Sequence, residues 1–383
     1  MSRQVRIFDT TLRDGEQTPG VHFTADEKVE LARRLEAFGA ATIEAGFPAS
    51  SPDDAAAVAR VAAAVRDCEV AALARCRPGD VDAAAAALDG AVRPVIHVFL
   101  GVSDIHLARK LRIPRAGAVR AVEESVRRAA RHGMAVQFSA EDATRADRVF
   151  LRQCVQTAIE AGAERVNIPD TVGCALPEEY GALIADIVSF AGPDIIVSAH
   201  CHDDMGLSTA NCLAAVRAGA RQLEATVNGI GERAGNAAVE EVAVVLAMKG
   251  IAGTGLRLEH TAGLSRRVAE VSGVPVQPNK AVVGRNAFAH SSGIHQDGIL
   301  KTPENYEYVP PALVGAPGHR FVLTARSGRR AIAHEAARMG SVLEPAAMDR
   351  VYEAFLRRAG ELHGEVTAAE LAQVIRACAV QSA

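Results

Sequence analysis

The sequence predicts a (β/α)₈ TIM barrel followed by a small, mainly helical C-terminal subdomain. Eight short apolar or β-branched runs recur within the first 230 residues, and segments with helical spacing separate them. Strand and helix alternating eight times is typical of a closed parallel barrel. Such a barrel takes about 250 residues, so a chain of 383 residues has room for an appendage. The predicted strands are 5–8, 41–43, 70–73, 95–100, 135–138, 165–168, 195–199 and 222–227.

The segments between these runs, such as 24–38 and 53–65, carry apolar residues at the spacing of amphipathic helices. Several of them end in glycine, as at Gly39, Gly133 and Gly162. Glycine in that position is typical of a helix C-terminus. The segments are therefore predicted to be the helices that connect successive parallel strands.

Beyond Gly273 the pattern changes, because prolines recur among short polar segments. A dense polar cluster at 290–298 lies in this part and includes His295. Further helices are predicted at 327–339, 346–358 and 367–379. We therefore divide the chain into a catalytic barrel over 1–273, a proline-rich linker subdomain carrying His295 over 274–325, and a helical subdomain over 326–383.

Composition excludes several classes of protein. The chain is 49% hydrophobic and 23% charged, as is ordinary for a globular enzyme, and its net charge of -4 provides no basic field for nucleic acid. Seven cysteines without a C-x-x-C pair do not form a disulfide framework. Neither a leader-like apolar run nor 18 uninterrupted apolar residues occurs. We expect a cytoplasmic protein without nucleic-acid or membrane partners.

Residues able to do chemistry stand just after the predicted strands. The carboxyl ends of barrel strands meet at one face, where (β/α)₈ enzymes place their catalytic residues. A doubly wound sheet explains fewer of these positions. The residues are Arg13, Asp14, Gln17, Glu44, His97, Ser139, Glu141, Thr171, His200, His202 and Asn236.

The pair His200 and His202 is the strongest local signal, because alternation along a strand points both imidazoles to the same side. Such a pair is a common part of a mononuclear metal site. Asp14 offers a carboxylate beside the guanidinium of Arg13, and Asn236 offers an oxygen at the end of the glycine-rich segment 229–236. Mixed oxygen and nitrogen ligands suit Mn²⁺, Mg²⁺ or Zn²⁺. The alternatives to a metal site are that the histidines are hydrogen-bonded surface residues and that Arg13 and Asp14 form an ordinary ion pair.

These groups favour attack on a carbonyl that a metal and Arg13 polarise, with a base generating the carbanion or enolate. Glu141 and His295 are the candidate bases. The glycine cluster at 229–235 follows the last strand instead of the first, so it is weak support for dinucleotide binding.

Four long motifs stand out in the sequence. They are LRDGEQ at 12–17 followed by Lys28, VSAHCHDDMGLSTA at 197–210, NGIGERAGN at 228–236 and HSSGIHQDG at 290–298. Together they resemble the 2-isopropylmalate/homocitrate synthase family, and they span most of the chain, so chance agreement is negligible. The resemblance implies a (β/α)₈ barrel that performs a Claisen-type condensation of acetyl-CoA with a 2-oxo acid, followed by hydrolysis of the thioester.

The resemblance also implies roles for individual residues. Arg13 would polarise the keto oxygen, Thr171 would hold the substrate carboxylate, and Glu141 and His295 would serve in acid–base steps. Tyr306 and Tyr308 are candidates for the family's catalytic tyrosine. A homodimer is expected by analogy. The implied metal ligands are Asp14, His200, His202 and Asn236, and the other substrate-pocket residues are Gln17, Glu44, Arg77, His97, Gln137 and Ser139.

The choice of 2-oxo acid depends on a few positions. The segments IEAGFP at 43–48 and NIPDTVG at 167–173 resemble 2-isopropylmalate synthases, which use 2-oxoisovalerate. Homocitrate synthases tend to have arginine where this chain has Gln137 and aspartate where it has His97. Without that arginine, the second carboxylate of 2-oxoglutarate would be buried unpaired. Phosphonopyruvate, pyruvate and 2-oxoglutarate remain alternatives, since Arg77 could attract an anionic group and many isopropylmalate synthases have glutamate instead of Gln137.

Two other functions fit parts of this pattern. A metal-dependent lyase of the aldolase type would use the same metal, Arg13 and base to stabilise a pyruvate enolate. A non-catalytic metal-binding protein is disfavoured because Arg13, Glu141 and His295 are all present. The chain stops at Ala383, short of the C-terminal domain through which longer family members bind the end-product amino acid, so we expect no feedback regulation of that type.

Overall fold

Eight parallel strands form a closed barrel in chain order, as predicted. The computed structural model describes residues 3–362 and 364–380. The strands are β1 (Arg6–Asp9), β2 (Thr42–Gly46), β3 (Glu69–Arg75), β4 (Pro94–Gly101), β5 (Ala135–Glu141), β6 (Arg165–Asp170), β7 (Ile196–Cys201) and β8 (Gln222–Ala225). The first strand closes the ring against β8, with Arg6 opposite Gln222 and Asp9 opposite Ala225. The predicted fold class is confirmed.

A helix follows each strand. The first begins with a capping box, in which the Thr24 hydroxyl accepts a hydrogen bond from the backbone of Glu27 and the Glu27 carboxylate accepts one from the backbone of Thr24. It ends at Gly39, whose φ of 101° is accessible mainly to glycine. The helices are α1 (Ala25–Phe38), α2 (Pro52–Ala64), α3 (Pro78–Ala87), α4 (Arg115–Arg131), α5 (Arg148–Glu160), α6 (Pro177–Ala191), α7 (Ser208–Ala218) and α8 (Val239–Met248), with α9 (Thr261–Ser272) after the barrel.

The inside of the barrel is layered along its axis. At the amino ends of the strands, Glu69 accepts two hydrogen bonds of 2.7 Å from Arg165 and one of 2.6 Å from Arg6. An apolar layer of Phe8, Ala71 and Val95 lies above it. The carboxyl ends carry a polar layer, which holds the candidate site. This division separates a stabilising end of the barrel from a functional end.

One element between β4 and α4 was not predicted. Residues His106–Leu111 form a π-helical turn, which ends at Arg112 with a φ of 56°. Turns of this kind are rare and recur at functional sites. Within the described ranges, no helix combines the length and apolar character needed to cross a membrane.

The chain divides into two compact units, Met1–Val276 and Gln277–Ala383. The second contains a two-stranded parallel sheet and a helical core around Phe355 and Ile332. The three predicted C-terminal helices are present to within a few residues. The division of this unit at residue 325 stays a prediction. Its elements are β9 (Ala289–His290), α10 (Gly293–Lys301), β10 (Arg320–Phe321), α11 (Arg329–Arg338), α12 (Pro345–Glu361) and α13 (Ala368–Val380).

Candidate active site

The carboxyl ends of the barrel strands surround a cavity of about 260 Å³. Small-molecule pockets commonly hold about 300–1,000 Å³, so this cavity suits a small substrate. Nine predicted site residues are on its wall, although they come from five separate strand ends. The lining residues are Arg13, Asp14, Gln17, Leu73, His97, Phe99, Lys110, Ser139, Glu141, Asn167, Pro169, Thr171, His200, His202, Glu224, Glu232 and Arg233.

Asp14, His200 and His202 form a buried group of possible metal ligands. One ligand atom from each lies within 4.8 Å of the others. The two imidazole rings, both from the end of β7, have centroids 5.0 Å apart. Cys201 between them is buried on the opposite side of the strand, beside Tyr180 and Cys212. The alternation of the strand therefore directs both histidines towards Asp14.

The nitrogen of each imidazole that faces away from this group has a partner. Nδ1 of His200 lies 3.1 Å from the Glu224 carboxylate, and Nδ1 of His202 lies 3.2 Å from the carbonyl oxygen of Gly235. Partners of this kind orient metal-binding histidines and fix the tautomer. Nε2 of each ring is therefore the atom left for a metal.

Asn236 completes the group. Its Nδ2 donates hydrogen bonds to Asp14 at 2.8 Å and to the carbonyl of Ile230 at 3.1 Å, while its Oδ1 is buried without a hydrogen-bond partner among the described residues. A Cβ at Gly231 would lie 2.1 Å from Nδ2 of Asn236, so only glycine permits this approach. A buried, unsatisfied amide oxygen beside two imidazoles and a carboxylate fits a divalent cation.

The charges of the group suit metal binding. Burial opposes ionisation of Asp14, but Arg13 and both histidines outweigh it and hold its pKa well below the usual range. Burial and the neighbouring His200 lower the pKa of His202 to about 4. Burial acts against protonation of His200 too, yet Glu224 and Asp14 raise its pKa. A carboxylate and a neutral imidazole are thus in place at neutral pH.

Arg13 lies between two carboxylates at the edge of the cavity. Its Nη1 is 2.6 Å from Asp14, and its Nε donates a 2.7 Å hydrogen bond to Glu44. Glu44 is fully buried and also lies 2.6 Å from Nδ1 of His97. Glu44 therefore does not line the cavity, and its effect is to orient Arg13 and His97.

The floor of the cavity is polar and largely hydrogen-bonded, although Oδ1 of Asn167 is buried without a hydrogen-bond partner among the described residues. The Ser139 hydroxyl lies 2.7 Å from Nε2 of His97 and accepts a 2.8 Å hydrogen bond from Asn167. Gln137 lies beneath this layer, where it donates to Glu224 at 2.6 Å and accepts from Gln222 at 2.7 Å. The apolar side chains Leu73 and Phe99 cover another part of the wall.

Glu141 and Thr171 face the cavity from neighbouring strands. The carboxylate of Glu141 lies 2.5 Å from Nζ of Lys110. Burial opposes its ionisation, but His106 and Lys110 outweigh burial and lower its pKa. The hydroxyl of Thr171 accepts a hydrogen bond from the backbone of Asp142 and keeps its own hydrogen for another acceptor.

Not every predicted residue reaches the cavity. Arg77 is exposed at the start of α3 and is absent from the lining, while Gln137 and Glu44 lie behind the wall. Asn236 is also absent from the lining and reaches the group through Asp14. His295 belongs to the second unit, where its ring centroid lies 4.3 Å from that of Tyr306. The roles of these residues stay predictions.

Sequence reasoning missed several lining residues. Asn167 and Pro169 share the inward face of β6 with Thr171 beyond it, so strict alternation was a signal that could have found them. Glu224 and Leu73 could have been found in the same way. Lys110 had no such signal, because it belongs to the π-helical turn.

A larger groove of about 660 Å³ adjoins the cavity and shares Arg13 and Gln17 with it. Its buried centre is Lys28, whose Nζ lies 2.6 Å from Glu16 and 2.8 Å from Asp54. We locate the active site in the smaller cavity, because that cavity contains the Asp–His–His group.

Fold and site together define a (β/α)₈-barrel protein with a candidate mononuclear metal centre at the carboxyl ends of its strands. Residues 4–268 match the HMGL-like family model, and residues 282–363 match the model of the homocitrate synthase post-HMGL domain. The 2-isopropylmalate synthase of Listeria welshimeri is 47% identical over 380 residues, which cover 97% of this chain and 74% of that protein. The chain belongs to the HMGL-like family and, within it, to the 2-isopropylmalate synthase family. The predicted resemblance is confirmed.

A second sequence relative and several solved structures are also similar to this chain. The 2-isopropylmalate synthase of Lactococcus lactis subsp. lactis is 45% identical, with 96% of this chain and 73% of that protein covered. Among solved structures, the HMG-CoA lyase from Brucella melitensis aligns with a TM-score of 0.62 at 23% identity, covering 71% of this chain and all of that one. The carboxyl transferase domain of Rhizobium etli pyruvate carboxylase aligns with a TM-score of 0.57 at 14% identity, covering 100% of this chain and 60% of that one. These structures support the fold.

Proposed function

We propose that this protein condenses acetyl-CoA with 2-oxoisovalerate to give 2-isopropylmalate and CoA. The observation that carries the proposal is the cavity in which Asp14, His200 and His202 lie beside Arg13 and a neutral, partly apolar pocket. Relatives named 2-isopropylmalate synthase, which match nearly the whole chain, support it. The enzyme is an acyltransferase that uses acetyl-CoA as co-substrate.

Each group has a place in this reaction. A divalent ion held by Asp14, His200, His202 and Asn236 would supply Lewis-acid polarisation of the keto group. Arg13 stabilises the negative charge that develops on the keto oxygen, and Thr171 donates a hydrogen bond to the substrate carboxylate. Glu141 removes a proton from the methyl group of acetyl-CoA. His295 takes part in a later proton transfer, with Tyr306 as the candidate tyrosine because the two rings are in contact.

The ligands favour Mn²⁺ or Mg²⁺, with Zn²⁺ as the alternative. Two imidazoles, a carboxylate and an amide oxygen form a mixed oxygen and nitrogen set, and no thiolate faces it, since Cys201 points away. Isothermal titration of metal-free protein with each ion, combined with turnover measurements, identifies the ion that activates.

The charges around the cavity favour a substrate with a single carboxylate. Each cationic side chain on the wall already has a carboxylate partner: Arg13 has Asp14 and Glu44, Lys110 has Glu141, and Arg233 has Asp204 at 2.8 Å. A second carboxylate or a phosphonate would enter without a counter-charge, at a cost of several kcal/mol. This disfavours 2-oxoglutarate and phosphonopyruvate.

The apolar part of the wall favours a branched side chain over a methyl group. Leu73 and Phe99 face the cavity, and burying each additional CH₂-sized group against such a surface contributes about 0.8 kcal/mol. Two such groups amount to about 1.6 kcal/mol, or roughly 15-fold in kcat/KM. We therefore expect 2-oxoisovalerate to exceed pyruvate by that factor.

The test is release of free thiol from acetyl-CoA across 2-oxoisovalerate, pyruvate, 2-oxoglutarate and phosphonopyruvate with Mn²⁺ present. We expect 2-oxoisovalerate to give the highest kcat/KM. If none of these acids stimulates thiol release, the condensation reaction is wrong, and if another acid is preferred, the substrate assignment is wrong. His202→Ala should abolish turnover, whereas His132→Ala, whose ring contacts Asp82 on the surface, should not.

We also propose a homodimer in which each active site uses His295 of the neighbouring subunit. Asp14 and His295 belong to different compact units, so separate variants can test the contribution of each residue. Size-exclusion chromatography with light scattering measures the assembly. Mixing inactive Asp14→Asn and His295→Ala variants should restore part of the activity, and a mixture that stays inactive contradicts the shared site.

A further inference from the structure

The π-helical turn at His106–Leu111 brings two nitrogen groups onto the carboxylate of Glu141. Nζ of Lys110 lies 2.5 Å from Oε1, and Nδ1 of His106 lies 3.5 Å from Oε2. Both Nδ1 of His106 and Oε2 of Glu141 are buried and lack a hydrogen-bond partner in the described part of the chain. The two atoms therefore face each other as the nearest available partners.

The other side of the His106 ring faces a second carboxylate. Nε2 lies 3.6 Å from Oδ2 of Asp142, which is fully buried. Asp142 is held by Arg145, at 2.8 Å, and by the hydroxyl of Ser103. The imidazole thus lies between two carboxylates, one on the cavity and one behind it.

The backbone is built to allow this approach. A Cβ at Gly101 would lie 2.8 Å from Nδ1 of His106 and 3.1 Å from Oε2 of Glu141, so a side chain there would separate the two groups. The Ser103 hydroxyl also accepts a hydrogen bond from the backbone of His106, which anchors the start of the turn. The end of β4 and the turn that follows it therefore hold His106 against Glu141 on β5.

We propose that His106 is a positioning residue that receives the proton collected by Glu141. The role rests on the proposed function, in which Glu141 is the base. When the methyl C–H bond of acetyl-CoA breaks, its electron pair forms the enolate and its proton moves to the carboxylate of Glu141. That O–H donates to Nδ1 of His106, the proton passes to the ring, and the Nε2–H faces Asp142. Glu141 returns to its carboxylate form.

The geometry supports this transfer. Nδ1 lies 3.5 Å from Glu141 and Nε2 lies 3.6 Å from Asp142, so a carboxylate faces each ring nitrogen. The charged groups facing the ring are Glu141 and Asp142, with Lys110 on the far oxygen of Glu141. The side chain of His106 is 16% exposed, so the proton can leave to water. The separations of 3.5 and 3.6 Å match the long contacts that catalytic groups commonly show before substrate binds.

The test compares His106→Asn and His106→Gln with the wild type in the acetyl-CoA assay. Both variants should keep the fold by circular dichroism and bind Mn²⁺ as the wild type does. We expect kcat to fall about 100-fold, the lower end of the range for acid–base groups, while KM for the 2-oxo acid stays within about twofold. In His106→Ala, added imidazole should restore part of kcat. The control is His132→Asn, whose ring contacts Asp82 outside the cavity and whose kcat should not change.

Three results would overturn the relay. The first is wild-type kcat, with an unchanged pH profile, in His106→Asn. The second is a loss of kcat that imidazole does not restore, and the third is loss of the fold in both polar variants, which makes the residue structural. If the wild-type protein releases no CoA with any 2-oxo acid, the proposed function itself is wrong. This result differs from the three above, so failure of the relay and failure of the proposed function are distinguishable.

Discussion

The carboxylate of Glu44 offers a direct test of how the site is held. It is fully buried and accepts hydrogen bonds of 2.6 Å from Thr10 and 2.7 Å from Arg13, with His97 at 2.6 Å. Glu44→Gln keeps the shape but removes the charge, and its amide group would face nitrogen donors. Arg13 would then depend on Asp14 alone.

The pKa of Glu44 gives the magnitude. Burial opposes ionisation, but Arg13 and His97 outweigh it and lower the pKa from the usual 4.5 to about 2. That lowering corresponds to about 3 kcal/mol of stabilisation, close to the roughly 3–5 kcal/mol that breaking a buried ion pair costs. Because the folded pKa is depressed, the stabilisation is present above pH 4.5 and is lost as the pH falls towards 2.

We therefore expect Glu44→Gln to lower the free energy of unfolding by about 3 kcal/mol at neutral pH. The difference from the wild type should shrink as the pH falls below 4.5. Urea denaturation followed by circular dichroism, with Mn²⁺ held constant, measures it. Turnover should fall by at least about tenfold as well, since Arg13 loses its orientation.

Glu69→Gln is the matched control. Glu69 makes an equally dense set of contacts, with Arg6, Thr42 and Arg165, but at the opposite end of the barrel. It should lower stability by a similar amount and leave kcat within about threefold, since the amino-terminal face of a (β/α)₈ barrel serves stability. If Glu44→Gln changes stability by less than about 1 kcal/mol, or if both variants lose activity equally, the reasoning is refuted.

Three further changes test other contacts of the site. Glu224→Gln removes the charge 3.1 Å from Nδ1 of His200 and should weaken Mn²⁺ binding about 10- to 100-fold; calorimetry that shows unchanged affinity would count against this orienting role. Lys110→Met removes a cation that lowers the pKa of Glu141, so that pKa should rise and the acidic limb of kcat/KM should move to higher pH; a limb that stays in place contradicts the pairing. Lys28→Met leaves Glu16 and Asp54 without their shared cation and should cost about 3 kcal/mol in urea denaturation, and a cost near zero would show that water replaces the ammonium group.

Much of the fold and part of the site followed from local sequence patterns. Strand and helix periods are local properties, so eight apolar runs separated by amphipathic segments were enough to predict the barrel. Parallel strands bring their carboxyl ends to one face whatever lies between them. The alternation of side chains along one strand was enough to predict that His200 and His202 point to the same side.

Other features needed the tertiary structure. The contact between Gln137 and Glu224 joins residues 87 positions apart, and it holds Gln137 beneath the cavity. Arg77 has the same local pattern as the pocket residues, yet it ends on the exposed start of α3.

The surroundings of Glu141 show most clearly what local sequence patterns do not reveal. Glu141 was identified from its place at a strand end, whereas His106 and Lys110 reach it only because the chain forms a π-helical turn there. Sequence by itself determined the barrel, the face that carries the candidate site and most of the candidate metal ligands, because these depend on short-range periodicity and on the symmetry of a parallel barrel. Only the tertiary structure decided which charges are paired, since pairing depends on distances of a few ångströms between segments far apart in the chain.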